Sequence, residues 1–259
     1  RDPTSPRSAG LCDTPGYAHA VEVQDALVFV ADDYEGLRII NTSVASRPRE
    51  VGYWDTPGQA RGVAVAGDYA YVADGSAGLQ IIHVDDPERP QWIAACMTPH
   101  DAWSVAVASA LGYIADANWG LPIIDLSVLA SPREIGRYAT VSDARNVTLH
   151  APYAYVADLH GVRAINVGNW ALPYEAGFRS LPGRITDVAP DGDYAYVAAG
   201  EAGLFVLRIE IAPATATPTL TANPTPTCTP TRTPTPLVSA TPQGGRIYVP
   251  VILRLFNGH

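Results

Sequence analysis

The stretch YAYVADGSAGLQIIHV, residues 69–84, decides the fold, because its parts recur along the whole chain. Its Val72-Ala73-Asp74 motif returns, with small changes, at a nearly constant spacing of about 42 residues. Copies of Gly78 and of the apolar run that follows it recur at nearly the same spacing. The five copies of the motif begin at Val30, Val72, Ile114, Val156 and Val197. A repeat of this length indicates one supersecondary unit used five times.

Each unit contains four strand-sized pieces. In the second unit they are residues 61–66, 69–73, 79–84 and 91–95, rich in Val, Ile and Tyr and separated by Gly-containing turns. The Gly before the third piece is expected to adopt a positive φ, which residues with a Cβ adopt only at a cost. Four short strands in about 42 residues are typical of a propeller blade. The sequence therefore predicts an all-β propeller of four-stranded blades; the alternative is an open β-solenoid.

The start of the chain resembles the end of a repeat. Residues 6–16, PRSAGLCDTPG, match residues 48–58, PREVGYWDTPG, which include a predicted fourth strand. The last unit, residues 179–209, has only three predicted strands. If the N-terminal strand completes that blade, five blades form a ring without an unpaired edge. The alternative is that further blades lie upstream of Arg1, since the sequence has no initiator Met.

The composition changes abruptly at Pro213. Residues 213–243 hold 8 Pro and 11 Thr with no apolar periodicity, so they are predicted to form a disordered, extended linker. The predicted organisation is a propeller over residues 1–212, a Thr/Pro-rich linker over 213–243 and a short apolar tail over 244–259. The apolar run of residues 247–256 in that tail is too short to span a bilayer as a helix.

The charge distribution argues against some partners. The net charge is −9, and every one of the 17 basic residues is Arg. Three of these Arg residues follow position 212, which leaves 14 before it against all 26 Asp and Glu. Nucleic-acid binding needs basic patches that neutralise phosphates, so we expect no nucleic-acid partner. No apolar run approaches the length of about 20 residues that a membrane-spanning helix needs, so we expect no transmembrane helix.

The apolar runs after the repeated Gly resemble a known family motif. They are Leu37–Asn41, Leu79–His83, Leu121–Asp125, 162–166 and, more weakly, 204–208. On these residues the chain resembles the LVIVD-repeat β-propellers over about residues 6–211. The resemblance implies a propeller, often on secreted or surface proteins, with no established common activity.

A second, less specific resemblance concerns the C-terminal region. The Thr/Pro-rich linker followed by YVPVILR, residues 248–254, is similar to the stalk and short tail of some bacterial exported proteins. This resemblance implies an extracellular or cell-surface location in a bacterium. It also implies that the tail attaches the protein to the cell envelope.

The repeated Asp residues are candidates for a metal site. Asp32, Asp74, Asp116 and Asp158 occupy equivalent positions and together could form an acidic ring, but the fifth repeat has Ala199 there. We favour a structural role, because Asp at the start of a turn can accept hydrogen bonds from backbone N–H groups. No His/Cys spacing indicates zinc, and no phosphate loop or G-x-S-x-G motif is present. We expect no metal, no cofactor and no catalytic residue.

Positions that differ among repeats are free to carry specificity. The entry to the innermost strand carries His19, Arg61, Trp103, Arg145 and Thr186, and neighbouring loops that share its propeller face add further side chains. Arg and exposed aromatic residues are typical of binding hot spots, and can hold a peptide, a glycan or an anion. The alternative is that each packs on its own blade or is solvated. The candidate ligand-binding residues are His19, Tyr34, Arg61, Trp103, Trp119, Arg145, His160 and Arg184.

Three functions are consistent with these features. We favour a non-enzymatic binding module outside the cell, with an unknown protein or carbohydrate as its ligand. The second function is a structural surface or adhesion component, in which the tail anchors the protein or adds a strand to a partner sheet. The third is a hydrolase or lyase, for which His19, His160 and Glu35 are the first residues to consider.

Overall fold

The computed structural model describes residue 5, residues 7–211 and residues 251–255. This part of the chain folds into twenty β-strands and one short 3-10 helix, Gly200–Ala202. None of its helices has the length and apolar character that crossing a membrane requires. The first ten strands are β1 (Ala20–Gln24), β2 (Leu27–Ala31), β3 (Leu37–Asn41), β4 (Arg49–Trp54), β5 (Gly62–Ala66), β6 (Tyr69–Ala73), β7 (Leu79–His83), β8 (Gln91–Cys96), β9 (Ala102–Ala108) and β10 (Leu111–Asp116). The others are β11 (Leu121–Asp125), β12 (Arg133–Tyr138), β13 (Ala144–His150), β14 (Tyr153–Asp158), β15 (Gly161–Asn166), β16 (Tyr174–Ser180), β17 (Asp187–Asp191), β18 (Tyr194–Ala198), β19 (Leu204–Ile211) and β20 (Val251–Leu255).

The strands form five antiparallel sheets of four strands, each in simple meander order from β1–β4 to β17–β20. We call these sheets blades 1 to 5. The strands of blade 2 begin and end within one residue of the predicted positions. The prediction of an all-β, propeller-like fold with five four-stranded blades is confirmed.

The repeated Gly before the third strand has the predicted conformation in four blades. Gly78 has φ +73°, and a Cβ there would collide with the carbonyl oxygen of Cys96. Gly36, Gly120 and Gly203 also have positive φ. Gly161 instead lies inside β15, because the turn of blade 4 is one residue shorter. The tight turn therefore requires glycine for two reasons, its backbone angle and the close approach of the fourth strand.

Hydrophobic cores lie between consecutive blades. We call the side of a blade that faces the next blade its trailing face, and the opposite side its leading face. Between blades 2 and 3, Tyr71, Leu79 and Ile81 of the trailing face pack with Val105 and Ile114 of the leading face. Equivalent clusters join blades 1 and 2, 3 and 4, and 4 and 5. Burying each such side chain contributes about 1.5–3 kcal/mol, so these interfaces are the core of the protein.

The fourth strand of the last blade is not the predicted one. β20 pairs antiparallel with β19, from Leu207 opposite Leu255 to Ile211 opposite Val251. The free edge of blade 5 is thus filled from the C-terminal tail in place of the N-terminal segment. Residues 7–19 contain no strand, and the first strand of the described chain begins at Ala20. The predicted linker over residues 213–243 lies outside the described residues, as does the tail apart from residues 251–255.

Removing residues 251–259 should expose the edge of β19. We expect faster amide hydrogen exchange in Leu204–Ile211 and a lower unfolding midpoint, since the ladder hydrogen bonds to β20 are lost. Exchange measured by mass spectrometry on the full and shortened chains checks this. A chain lacking only residues 256–259 is the control and should exchange like the full chain. Equal protection of β19 in all three chains would contradict the pairing.

Candidate functional site

The innermost strands of all five blades line one central cavity of about 650 Å³. This volume lies in the range of sites that hold small molecules or parts of larger ligands. The charged, aromatic and hydroxyl side chains on its wall come mostly from the entry to each innermost strand, as predicted. They are His19 and Glu22 of blade 1, Arg61 of blade 2, Trp103 and Ser104 of blade 3, Arg145 and Thr148 of blade 4, and Thr186 and Asp187 of blade 5.

Backbone hydrogen bonds fix the loops that carry these entry residues. Asp33, in the turn between β2 and β3, exchanges two backbone hydrogen bonds with Ala60, the residue before Arg61. Gly75 does the same with Ala102, next to Trp103, and Ala117 forms the equivalent bridge to Ala144, before Arg145. The second-to-third turn of one blade and the linking loop to the next blade therefore lie on one face, as predicted.

Trp103 lies in contact with two guanidinium groups. The Cζ atoms of Arg61 and Arg145 are each 3.8 Å from the centre of the Trp103 ring. Arg61 comes from blade 2 and Arg145 from blade 4, so the ring is flanked from both neighbouring blades. Because both Cζ atoms lie at this distance from one point, they cannot be farther apart than twice that distance. We call these three residues the Arg–Trp–Arg cluster.

The cluster has unused hydrogen-bonding capacity. Arg61 donates through Nη2 to Gln59 Oε1 at 2.5 Å, and Arg145 donates through Nη2 to Asp143 Oδ2 at 2.9 Å. The Nε atom of Arg61 and the Nε and Nη1 atoms of Arg145 are buried without a protein hydrogen-bond acceptor. Sequence reasoning missed Gln59 and Asp143, although both precede their Arg by two residues.

The charge of the cluster is only partly compensated. Asp143 forms an ion pair with Arg145, but within the described part of the chain no carboxylate forms an ion pair with Arg61, whose side-chain acceptor is the amide of Gln59. Two positive charges separated by no more than twice 3.8 Å repel each other by at least about 2 kcal/mol at an effective dielectric constant near 20. An anion that binds beside the Trp103 ring would reduce this repulsion.

Four of the eight predicted residues, His19, Arg61, Trp103 and Arg145, line the cavity. The other four do not belong to its lining. Tyr34 projects from its turn with 70% of its surface exposed. Trp119 stacks on Arg137 of its own blade, with Cζ 3.7 Å from the ring centre, and its Nε1 donates to Glu134.

The remaining two, His160 and Arg184, are exposed residues of loops. The backbone N–H of His160 donates to Asp158, and its carbonyl oxygen accepts from Leu181. A smaller depression of about 360 Å³ lies beside the cavity and shares Trp103 and Arg145 with it. Its other walls include His100, Asp101 and Asn118, so the surface around the cluster extends onto this side.

The residues considered for catalysis have separate partners. His19 Nε2 lies 3.8 Å from Asp33 Oδ1, and Glu35 Oε2 accepts a hydrogen bond of 2.8 Å from Arg38. His160 makes its hydrogen bonds through its backbone. In this arrangement the two His side chains and Glu35 do not form a hydrogen-bonded set.

The repeated Asp residues clasp neighbouring blades together. Asp74 Oδ1 accepts 2.6 Å from the hydroxyl of Thr56, and its Oδ2 accepts 2.9 Å from the backbone N–H of Gly58. Thr56 and Gly58 belong to the loop that leads into blade 2. The same clasp joins Thr14 and Gly16 to Asp32, and Thr98 and His100 to Asp116. The structural interpretation of these Asp residues is confirmed, with N–H donors from the preceding loop.

The fourth copy of this clasp is different. Thr140 donates to the carbonyl oxygen of Ser142, and Asp158 pairs with Arg163 of its own blade, with 2.5 Å between Nε and Oδ2. In residues 7–211 no three His, Cys, Asp or Glu side chains are grouped so that they could hold a metal ion. Asp32, Asp74 and Asp116 therefore bind donors at separate blade junctions, whereas Asp158 binds donors of its own blade.

Burial changes the titration of two of these Asp residues. It raises the pKa of Asp74 to about 6, although the hydrogen bonds from Thr56 and Gly58 lower it. Burial also raises the pKa of Asp116 above its ordinary value, against the hydrogen bonds from Thr98 and His100. In both, the cost of removing a charged carboxylate from water exceeds the benefit of two donors.

The blades, their sequential packing and the shared cavity define a β-propeller-like repeat protein. The model of the LVIVD repeat matches residues 15–56, 57–98, 99–140, 142–176 and 182–221. These five matches cover most of the sequence, so the chain belongs to the LVIVD repeat family. No curated protein matches the chain.

Two solved structures support the fold. A functionally unknown protein from Desulfotomaculum acetoxidans is 17% identical, with a TM-score of 0.62 over 76% of this chain and 67% of that one. The computationally designed protein Ika8 is 7% identical, with a TM-score of 0.53 over 74% of this chain and 70% of that one. At such identities the likeness concerns the fold alone.

Replacing Thr56 by Val should weaken the junction of blades 1 and 2. At pH 7 the buried Asp74 carboxylate loses a donor, so we expect a loss of about 1.5–3 kcal/mol in unfolding free energy. Chemical denaturation measures this loss. Thr140→Val is the matched control, because the Thr140 hydroxyl bonds only a neutral carbonyl and should cost about 1 kcal/mol or less. Equal losses in both variants would contradict a charge-assisted clasp.

Asp74→Asn should flatten the pH dependence of stability. Since the folded pKa of Asp74 is raised to about 6, the folded chain holds a proton between about pH 4 and 6 that the unfolded chain releases. Stability of the original chain should therefore fall as pH rises through this window, and the Asn variant should lose part of that slope. Denaturation at several pH values checks this, with the exposed Asp68→Asn as control. An unchanged slope in the Asp74 variant would show that its pKa is not raised.

Proposed function

We propose that this chain is a non-enzymatic binding module that holds an acidic group of a peptide, glycan or protein ligand at the Arg–Trp–Arg cluster. The observation that carries the proposal is the pair of guanidinium groups around Trp103 at the wall of the central cavity. Buried N–H groups without a protein acceptor are rare in folded proteins, and those of Arg61 and Arg145 support the proposal that a ligand supplies acceptors here.

The chemistry of the cluster favours a planar or multidentate anion. Guanidinium groups bind carboxylates and other oxyanions through forked hydrogen bonds, and the flat faces of Arg and Trp also stack on rings. His19 and Thr186, which line the same cavity, add hydrogen-bonding groups around this centre. Glu22 and Asp187 lie on blades 1 and 5, away from the blades that carry the cluster, so an acidic ligand would be oriented toward blades 2 to 4.

We propose further that the module acts outside a bacterial cell or on its surface. Support comes from the resemblance of the Thr/Pro-rich segment, residues 213–243, to the stalks of exported proteins. Binding without catalysis is supported by the separate neighbours of two candidate residues: His19 lies 3.8 Å from Asp33, and Glu35 accepts a hydrogen bond from Arg38. The tail is proposed to contribute envelope attachment in addition to the strand β20.

Alanine at Arg61 or Trp103 should weaken ligand binding. Arrays of uronic-acid-containing and sulfated oligosaccharides and of acidic peptides provide the probes, and titration calorimetry with the tightest of them gives the dissociation constant. We expect at least about a tenfold increase in that constant for each variant, the loss typical of an interface hot spot. Arg61→Lys should recover less than half of the lost free energy, because an ammonium has neither the fork nor the stacking face.

Arg133→Ala and Trp170→Ala are the controls, since both residues are surface-exposed and lie outside the cavity lining. They should leave the dissociation constant unchanged. If Arg61→Ala and Trp103→Ala bind as tightly as the original chain, the ligand lies elsewhere. If no acidic probe binds at all, an acidic ligand at this cavity is wrong.

A further inference from the structure

One junction between neighbouring blades is missing. Hydrophobic clusters join blades 1 and 2, 2 and 3, 3 and 4, and 4 and 5. Among the described residues no such cluster joins blade 5 to blade 1, although the inner strands of both line the same cavity. The leading face of blade 1 and the trailing face of blade 5 therefore border an opening in the ring.

The leading face of blade 1 exposes a position that is buried elsewhere. Val21 on β1 is 61% exposed, and Val23 on the same strand is 60% exposed. The residues equivalent to Val21 in the other four blades are between 1% and 7% exposed. They are Val63, Val105, Val147 and Val188.

The trailing face of blade 5 is uncovered in the same way. Leu204 is 66% exposed and Tyr196 is 40% exposed. The four residues equivalent to Leu204 are completely buried, and those equivalent to Tyr196 are no more than 5% exposed. They are Leu37, Leu79, Leu121 and Val162 for the first position, and Phe29, Tyr71, Tyr113 and Tyr155 for the second.

Residues 7–16 occupy the place of an outer strand and its linking loop. A Cβ at Gly10 would collide with the carbonyl oxygen of Ala45 in blade 1. In the same way, Cβ atoms on Gly52 and Gly136 would collide with backbone carbonyl oxygens of the next blade. Thr14 and Gly16 clasp Asp32 as Thr56 and Gly58 clasp Asp74. Gly52 and Gly136 are residues of fourth strands. The N-terminal segment thus meets blade 1 as the fourth strand of a preceding blade would.

That preceding blade is not blade 5. Blade 5 has its own fourth strand, β20, on the outer edge of β19. If blade 5 of this chain, or of a second copy, packed directly onto blade 1, β20 and residues 7–12 would compete for one position. Farther out on the leading face Val30 and Ile40 are buried, so the uncovered part lies along the innermost strand. The opening lacks inner strands, whereas residues 7–12 already occupy the position of an outer strand.

We propose that the opening between blades 5 and 1 is the seat of the three inner strands of a further blade of the same repeat type, with residues 7–12 as its outer strand. The occupant is a three-stranded antiparallel sheet with apolar side chains on both faces. Its trailing face would carry large residues like Tyr71 and Leu79 to cover Val21 and Val23. Its leading face would carry a pair like Val63 and Val65 to cover Tyr196 and Leu204.

A chain that supplies this sheet tests the proposal. Residues 1–5 are replaced by a copy of residues 59–89, so that Arg89 of the copy joins Pro6 as it joins Pro90 in blade 2. A second version uses residues 101–131 of blade 3, which end before Pro132. Accessibility is read from thiol labelling of Val21→Cys in chains whose own three cysteines have been replaced. Val63→Cys gives the rate of a buried site and Val128→Cys, 60% exposed in the loop between β11 and β12 of blade 3, that of an open site.

In the unextended chain we expect Val21→Cys to label about as fast as Val128→Cys. With either inserted sheet the labelling of Val21→Cys should slow at least about tenfold, whereas that of Val128→Cys should not change. Leu79→Asp within the copied segment should restore fast labelling, because that side chain would face Val21. Fast labelling in both extended chains would overturn the proposal.

Two results in the unextended chain would also overturn it. If Val21→Cys labels as slowly as Val63→Cys at micromolar concentration in a monomer, blade 5 closes directly onto blade 1. If protection increases with concentration and light scattering gives twice the mass, a second copy covers the face.

Discussion

The packing of one blade on the next is the interaction on which the rest of this structure depends. A four-stranded blade has apolar side chains on both faces, as Val63 and Tyr71 of blade 2 show, and it cannot bury both alone. Stability must therefore accumulate from junctions between repeats, as in other repeat proteins. Each junction contributes separately, so Val21 and Leu204, whose faces no described hydrophobic cluster covers, can stay exposed while Val105 and Leu121 are buried.

The Asp clasp connects this packing to the candidate site. Each clasp holds the loop that leads into the next innermost strand, and that loop ends at the entry residue. The entry residue faces the cavity rather than a neighbouring blade, so its identity is free of the packing constraint on Val63 or Leu79. Clasped loops with variable ends let one repeat carry Arg61 and the next Trp103, and the following loop, which lacks this clasp, carries Arg145. Both guanidinium groups contact the Trp103 ring.

Repetition determined what could be predicted from the sequence. The strands and the Gly turns recur with their spacing, so a local preference that is weak in one unit becomes clear in five. The role of Val251–Leu255 could not be predicted, because a short apolar strand separated from β19 by the whole Thr/Pro-rich segment does not specify its partner. The match of residues 6–16 to residues 48–58 correctly indicated the contact of Thr14 with Asp32. It did not correctly indicate a strand, since residues 7–19 form none. Convergence of Arg61, Trp103 and Arg145 follows from the repeat, whereas the stacking of Trp119 on Arg137 depends on outer-strand side chains that vary between blades.

The charge around the Arg–Trp–Arg cluster is opposite in sign to the net charge of the protein. The chain carries a net charge of −9, so at long range it repels an acidic ligand. At physiological ionic strength that repulsion is screened over about 8 Å, whereas partly buried groups are screened much less. The guanidinium of Arg61, which has no carboxylate partner among the described residues, and the buried N–H groups of Arg145 act at contact distance. The proposed selection of an acidic ligand at this cavity would therefore depend on the fixed geometry around Trp103 rather than on the overall charge of the protein.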